Sequence, residues 1–181
     1  MDLNMLKGKN ISMRAMEFSD AELLYEWEND TEIWHLSNTL TPFSRFTLEQ
    51  YVMNSHQDIF TNKQLRLMID LNRDGQQGLS IGSIDVFDFE PMHRRAGVGI
   101  LLLKEYRGKG YASEAIDLLI QYASKTLNLH QLFCNIGANN QESLKLFLGR
   151  NFIIAGTKKE WNYINKKWED EVMLQLIFEN D

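Results

Sequence analysis

The segment Arg107-Gly108-Lys109-Gly110-Tyr111-Ala112 joins an apolar run, Val98 to Leu103, to a stretch with apolar or small residues at Ala112, Ala115, Ile116, Leu119, Ile120 and Ala123. The run reads as a strand. The stretch has helical spacing, with Glu114, Asp117, Gln121 and Lys125 left for the opposite face. Two glycines at a strand-to-helix turn let the backbone come close to a ligand, and the free N–H groups and dipole of the helix start favour an anion. Arg107 and Lys109 add positive charge at that point. Strand, basic glycine turn and helix together form a cradle for a pyrophosphate.

Other glycine motifs fit less well. A Walker loop needs G-x-x-x-x-G-K-[ST], whereas here the glycines flank a lysine and Tyr111 follows. A dinucleotide fingerprint would place its third glycine at Ser113, and the turn lies past the middle of the chain. A plain glycine-rich connector is the simplest alternative, so the flanking sequence has to decide.

At 181 residues the chain is read as one domain, 1–181, with enough length for a core. A net charge of −6 and scattered basic residues argue against nucleic acid as a partner, and an acidic balance is compatible with a cationic amine. No run approaches a membrane span and no cleavable leader is evident, so the expected location is cytoplasmic. The one cysteine, Cys134, falls in an apparent strand and reads as a buried structural thiol. His93 and His35 have no partner at metal-ligand spacing, so no metal is expected. Glu26, Glu28, Asp30 and Glu32 form an acidic run, which is ordinarily a solvated face.

Periodicity and turn signals give the order β-α-α-β-β-β-α-β-α-β-β. Ser19 or Asp20 is expected to cap the first helix and Thr47 the second. Asn72-Arg73-Asp74-Gly75 reads as a turn, followed by a strand with Ile81, Ser83, Asp85 and Phe87 on one face.

Arg107 to Ala112 with the strand before it, Met92 to Ala96, Asn139 to Phe147, and the hairpin around Asn165 to Asp170 resemble the GCN5-related N-acetyltransferase (GNAT) superfamily. The likeness is greatest to its spermidine/spermine and ribosomal-protein N-acetyltransferase branch. It implies an α/β GNAT fold: a mixed, mostly antiparallel central sheet flanked by helices, with a splay that takes the coenzyme arm as a false strand. It also implies acetyl-CoA as co-substrate and transfer of the acetyl group to a primary amine by direct attack. The acceptor would be a polyamine or other small amine, or a protein N-terminus. By resemblance, the backbone of Leu101, Leu102 and Leu103 takes the pantetheine arm, and the amides of Arg107, Gly108, Lys109, Gly110, Tyr111 and Ala112 take the pyrophosphate. Asn140 either hydrogen-bonds the arm or simply caps the helix that follows, and the two roles are compatible.

Several positions depart from the family pattern. Glu105 stands where the cradle consensus has glutamine or arginine. Gly97 replaces a frequent glutamate and, with Gly99, leaves one strand face bare. Phe147 occupies the position of the usual tyrosine acid and carries no hydroxyl to donate. A water, Tyr163 or Tyr111 would have to substitute. Asp85 is the candidate that orients the ammonium or accepts its proton through water. Thr39-Leu40-Thr41-Pro42 lacks the acids that polyamine enzymes carry before this proline. The alternative function is an acyl-CoA-binding protein of this fold with little or no transferase activity. The aromatic residues between Trp161 and Trp168 point to a homodimer contact.

Overall fold

A computed structural model describes residues 5–34, 39–72 and 78–179. Its framework is a seven-stranded sheet in the order β1-β2-β3-β4-β5-β7-β6. The strands are β1 (Ile11–Ala15), β2 (Leu65–Leu71), β3 (Leu79–Glu90), β4 (Arg95–Leu102), β5 (Gln131–Gly137), β6 (Ile153–Ile164) and β7 (Lys167–Ile177). Between β1 and β2 lie α1 (Ala21–Glu28), α2 (Arg45–Asn54) and the single turn α3 (Ile59–Asn62). Helix α4 (Tyr111–Lys125) crosses from β4 to β5, and α5 (Gln141–Leu148) follows β5. The α4 crossover makes β4–β5 parallel while every other pairing is antiparallel. The mixed, mostly antiparallel sheet expected from the sequence is therefore present.

Helices cover both faces of the sheet. The main core joins α4 and α5 to the sheet through Ile116, Leu119, Phe147, Ile84, Val98, Leu132 and Leu174, all nearly or fully buried. A smaller cluster of Leu24, Trp27, Leu48, Val52 and Met68 holds α1 and α2 on the opposite face. The periodicity of α4 is realised for most positions: Ala115, Ile116, Leu119 and Ala123 are buried and Asp117, Gln121 and Lys125 exposed, while Ala112 and Ile120 are half-buried and Glu114 is half-buried with its carboxylate accepting from Asn10.

Local differences from the sequence reading have simple causes. The second helix is capped by Ser44, whose side chain accepts from the Thr47 amide, so the helix starts earlier than a Thr47 cap would allow. Asp20 does stand at the start of α1, but its carboxylate is used by Arg14 and the Glu17 amide rather than by the helix. The turn α3 is additional and is capped by Asp58. A bulge between Ile69 and Asp70 shifts the register against β3, with Ile69 opposite Gly82 and Asp70 opposite Ser80. Ile81 consequently turns into the main core with Ile84, away from Ser83 and Asp85. Asn165 and Lys166, both left-handed, make the tight β6–β7 turn. The turn expected at Asn72 to Gly75 lies, from Arg73 onward, outside the described residues.

Candidate active site

The pairing of β4 with β5 is short. It runs only through Arg95–Gln131, Ala96–Leu132 and Gly97–Phe133, whereas β5 stays paired with β7 as far as Gly137. From Val98 and Cys134 onward the two strands diverge, which leaves one edge of each without a partner strand. This is the splay, with its apex at Gly97 and its open end toward Leu102.

Strand parity decides which groups line the splay. The Leu103 amide bonds Ile81 O at 2.9 Å across β3, while Arg94 O accepts from the His130 and Gln131 amides on the β5 side. Backbone polar groups alternate between the two edges of a strand. Leu101 therefore directs its N–H and C=O to β3, along with the Leu103 amide. Val98, Ile100 and Leu102 direct theirs into the splay. The expectation for Leu101 and Leu103 is corrected accordingly, and Leu103 lies beyond the end of β4. Val98 and Ile100 were missed, although counting parity along the strand would have found them. The Leu102 carbonyl is already bonded by Arg107 Nε at 2.9 Å.

The cradle lies just past that open end. Gly108 (φ 72) and Gly110 (φ 86) are left-handed, a conformation that costs glycine little. A Cβ at either would meet nothing within 4 Å, so the turn borders open space. The first α4 bond runs from the Glu114 amide to Gly110 O. No acceptor among the described residues takes the amides from Gly108 to Ser113, and no side chain caps the helix. Arg107 is different: its amide donates to Lys104 O at 3.3 Å and its side chain folds back on β4. It belongs to the rim of the cradle and contributes no free N–H of its own backbone. Lys109 and Tyr106 stack at 5.4 Å beside it.

Asn140 caps α5, its Oδ1 accepting from the Ser143 amide at 3.1 Å. Its side-chain Nδ2 is left to donate to a ligand. Phe147 is 3% exposed and meets Phe152 edge-on at 5.1 Å within the main core. Asp85, opposite Gly99, forms a two-pronged pair with Arg66: Nε to Oδ1 at 2.7 Å and Nη2 to Oδ2 at 3.2 Å. Arg66 also binds Glu28 and lies 5.4 Å over the Tyr51 ring. Burial pushes the Tyr51 phenol up to about 12, with Arg66 opposing and Asp85 and Glu28 adding to the rise. Burial alone would lower the Arg66 pKa, but the two carboxylates and Tyr51 hold it above its ordinary value.

A family model for the acetyltransferase (GNAT) domain matches residues 10–149. The chain belongs to the GNAT acetyltransferases. Its relatives include the spermidine N(1)-acetyltransferase of Vibrio cholerae serotype O1, 26% identical over 173 residues and covering 94% of each chain. The ribosomal-protein-serine acetyltransferase of Escherichia coli K12 is 27% identical over 100 residues, 55% of this chain and 56% of that protein. In fold it is similar to the crystal structure of spermidine N-acetyltransferase from Vibrio cholerae in complex with CoA and spermine. That likeness has a TM-score of 0.81 at 23% identity and covers 94% of this chain and 96% of the other.

As a GNAT acetyltransferase the protein uses acetyl-CoA. The residues fit that co-substrate, because the free amides from Gly108 to Ser113 suit a pyrophosphate and the splay edge suits an extended amide arm. The remaining candidates are placed as follows. His93 is exposed in the β3–β4 turn, and His35 lies outside the described residues. Tyr163 is 62% exposed on the β6–β7 hairpin, stacked on Trp168 at 5.0 Å. Tyr111 begins α4, where its ring packs against the core. Cys134 is buried, and desolvation pushes its thiol up to about 12, so it is no nucleophile. Of the acidic run, Glu28 alone is drawn into the site while Glu26, Asp30 and Glu32 are exposed. Arg66 was missed because only the fold brings α1, β2 and β3 to one guanidinium. Among the described residues no cluster of metal-ligating side chains is present, and no helix is long and apolar enough to cross a membrane.

Proposed function

We propose that this acetyltransferase acetylates a primary amine, a small amine or a protein N-terminus, by direct attack on acetyl-CoA. The observation that carries the reading is the continuity of the cradle with the splay. Free amides from Gly108 to Ser113 stand at the open end, and the β4 edge without a β5 partner runs from Leu102 back to Val98. That strand length, roughly 13 Å at about 3.3 Å per residue, accommodates an extended arm. Bound there, acetyl-CoA supplies an activated acyl carbon with a thiolate leaving group.

The chain's part is mainly positioning. The groups of Val98 and Ile100 and the Leu102 amide hold the arm. The Arg107 guanidinium and Lys109 ammonium screen phosphate charge. Asp85 and Glu28 share one guanidinium, so the site keeps negative charge that attracts the ammonium form of the acceptor. With Asp85 held by Arg66, it orients the amine, whose proton passes to water before attack. The nitrogen–carbon bond then forms, the carbon–sulfur bond breaks, the nitrogen gives up its second proton to water to become the amide, and the thiolate is protonated from solvent, because Phe147 has no proton to give.

We place the enzyme in the cytoplasm as a single domain, where a lone buried thiol stays reduced. It is proposed to dimerise through the hairpin that exposes Trp161, Tyr163 and Trp168. The test is coenzyme thiol release with a panel of spermidine, diamines, monoamines and N-terminal peptides at saturating acetyl-CoA. Turnover with at least one amine is expected. Tight acetyl-CoA binding with no turnover on any of them would establish the non-enzymatic alternative.

A further inference from the structure

Phe87 lies directly across from Gly97 in the β3–β4 ladder. A Cβ on Gly97 would come within 2.4 Å of Phe87 Cε2, and one on Gly99 would sit 3.7 Å from Cε1. The bare strand face expected at these two glycines is therefore covered, and what covers it is this ring. Past β4 the ring meets Phe133 edge-on, centroids 6.1 Å apart at 82°. Phe133 is the β5 partner of Gly97, the last pair before the splay opens. Two rings thus bridge three strands at the apex. Both are half-buried, and neither joins the two core clusters. Each ring keeps part of its surface open.

Charge on this face is concentrated around Arg66. Glu28 and Asp85 share that guanidinium, which leaves one net negative charge among the three. An aromatic pair beside these carboxylates is complementary to a cation carried on an aromatic body.

We propose that the acceptor is an arylalkyl monoamine, its ring on Phe87 and Phe133 and its amine toward Asp85. This rests on the transfer reading above and narrows its substrate. Thiol release at saturating acetyl-CoA, compared for phenethylamine, ethylamine and spermidine, tests it. Phenethylamine is expected to exceed both others in kcat/KM by about tenfold or more, which is the scale of one buried aromatic contact. Phe87→Ala should reduce the phenethylamine-to-ethylamine ratio by about tenfold, and Phe133→Leu should lower it less. Phe133→Leu decides the matter if Phe87→Ala fails to fold. A preference for spermidine, or a ratio that neither variant moves, overturns the platform. If acetyl-CoA binds and no amine is acetylated, the transfer reading fails instead. Calorimetry of phenethylamine with the acetyl-CoA-loaded protein then decides the platform. Binding weakened by Phe87→Ala supports it, and no binding, or binding the variant leaves unchanged, refutes it.

Discussion

The two sides of the splay offer a ligand different things. The side proposed for the coenzyme, from β4 through the cradle to the start of α4, offers backbone: amides without partners, a parity of strand edges, two left-handed glycines. The side proposed for the acceptor, where α1 and α2 meet β2 and β3, offers side chains locked in ion pairs, with Arg66 between Glu28 and Asp85 and Arg14 between Asp20 and Asp70. Backbone recognition survives side-chain change and is set by spacing. Side-chain recognition can be rewritten by single substitutions, which is where one member of a family departs from another.

The largest effect is expected at Arg66. Arg66→Ala leaves two mostly buried carboxylates facing one another, and breaking such a pair typically costs about 3–5 kcal/mol. Urea unfolding should show that loss. A change below about 1 kcal/mol would mean the acceptor side does not depend on its ion pairs as described. On the coenzyme side, acetyl-CoA at 100 times its dissociation constant should stabilise the fold by about 2.7 kcal/mol. Gly110→Asp sets a carboxylate against the pyrophosphate and should abolish most of that gain, while the stability of the free protein moves less. A full thermal shift in the variant would overturn the cradle assignment.

Much of the coenzyme side was legible because it is written in local sequence. Glycine spacing, the period of α4 and the Asn140 cap each follow from a few neighbouring residues. The error there was one of parity, since a leucine run does not announce which of its members face the open edge. The acceptor side was hardly legible. Arg66, Glu28 and Asp85 are far apart in the chain, and nothing local marks Arg66 as the guanidinium they share. The bulge at Ile69/Asp70 moved Ile81 to the other face, and no residue type signals such an insertion. In the sequence Gly97 leaves its strand face bare, but the ring that covers it comes from the neighbouring strand.

Gly97→Ala sharpens the comparison where the two sides meet. The added methyl would collide with Phe87, and overpacking of this kind costs about 1–3 kcal/mol. Acetyl-CoA affinity should hold, because the collision is on the acceptor face. Equal loss on both sides would mean the apex is one unit. Acid provides a gentler probe. Desolvation would raise the Asp20 pKa, yet the hydrogen bonds from Arg14 and Glu17 hold it below the ordinary 3.8. A depressed carboxyl contributes stability above its unfolded value and loses it as pH falls through the folded one. Stability should therefore fall below about pH 4 as this carboxylate is protonated, and less steeply in Asp20→Asn. Parallel curves for the two proteins would remove Asp20 from the account.

The smallest effect on stability is expected at Phe147, and it bears on chemistry. Its ring is buried edge-on against Phe152, so Phe147→Tyr keeps the packing and adds one hydroxyl at the para position. If that oxygen opens onto the splay it stays hydrogen-bonded to water, and stability should change by less than about 1 kcal/mol. If it points into the core, an unsatisfied hydroxyl costs about 1–3 kcal/mol and the melting temperature reports it. In the first case acetyl-CoA affinity should hold and kcat should rise, by up to about 10²-fold where thiolate protonation limits the rate. A viscosity-independent, solvent-isotope-sensitive kcat in the wild type would identify that limit. Unchanged turnover with unchanged affinity would mean solvent already protonates the thiolate fast enough, and that phenylalanine costs this enzyme nothing. Lost affinity would mean the pocket beside the thioester is shaped for the bare ring. The result separates a site that lost its acid from one built without it.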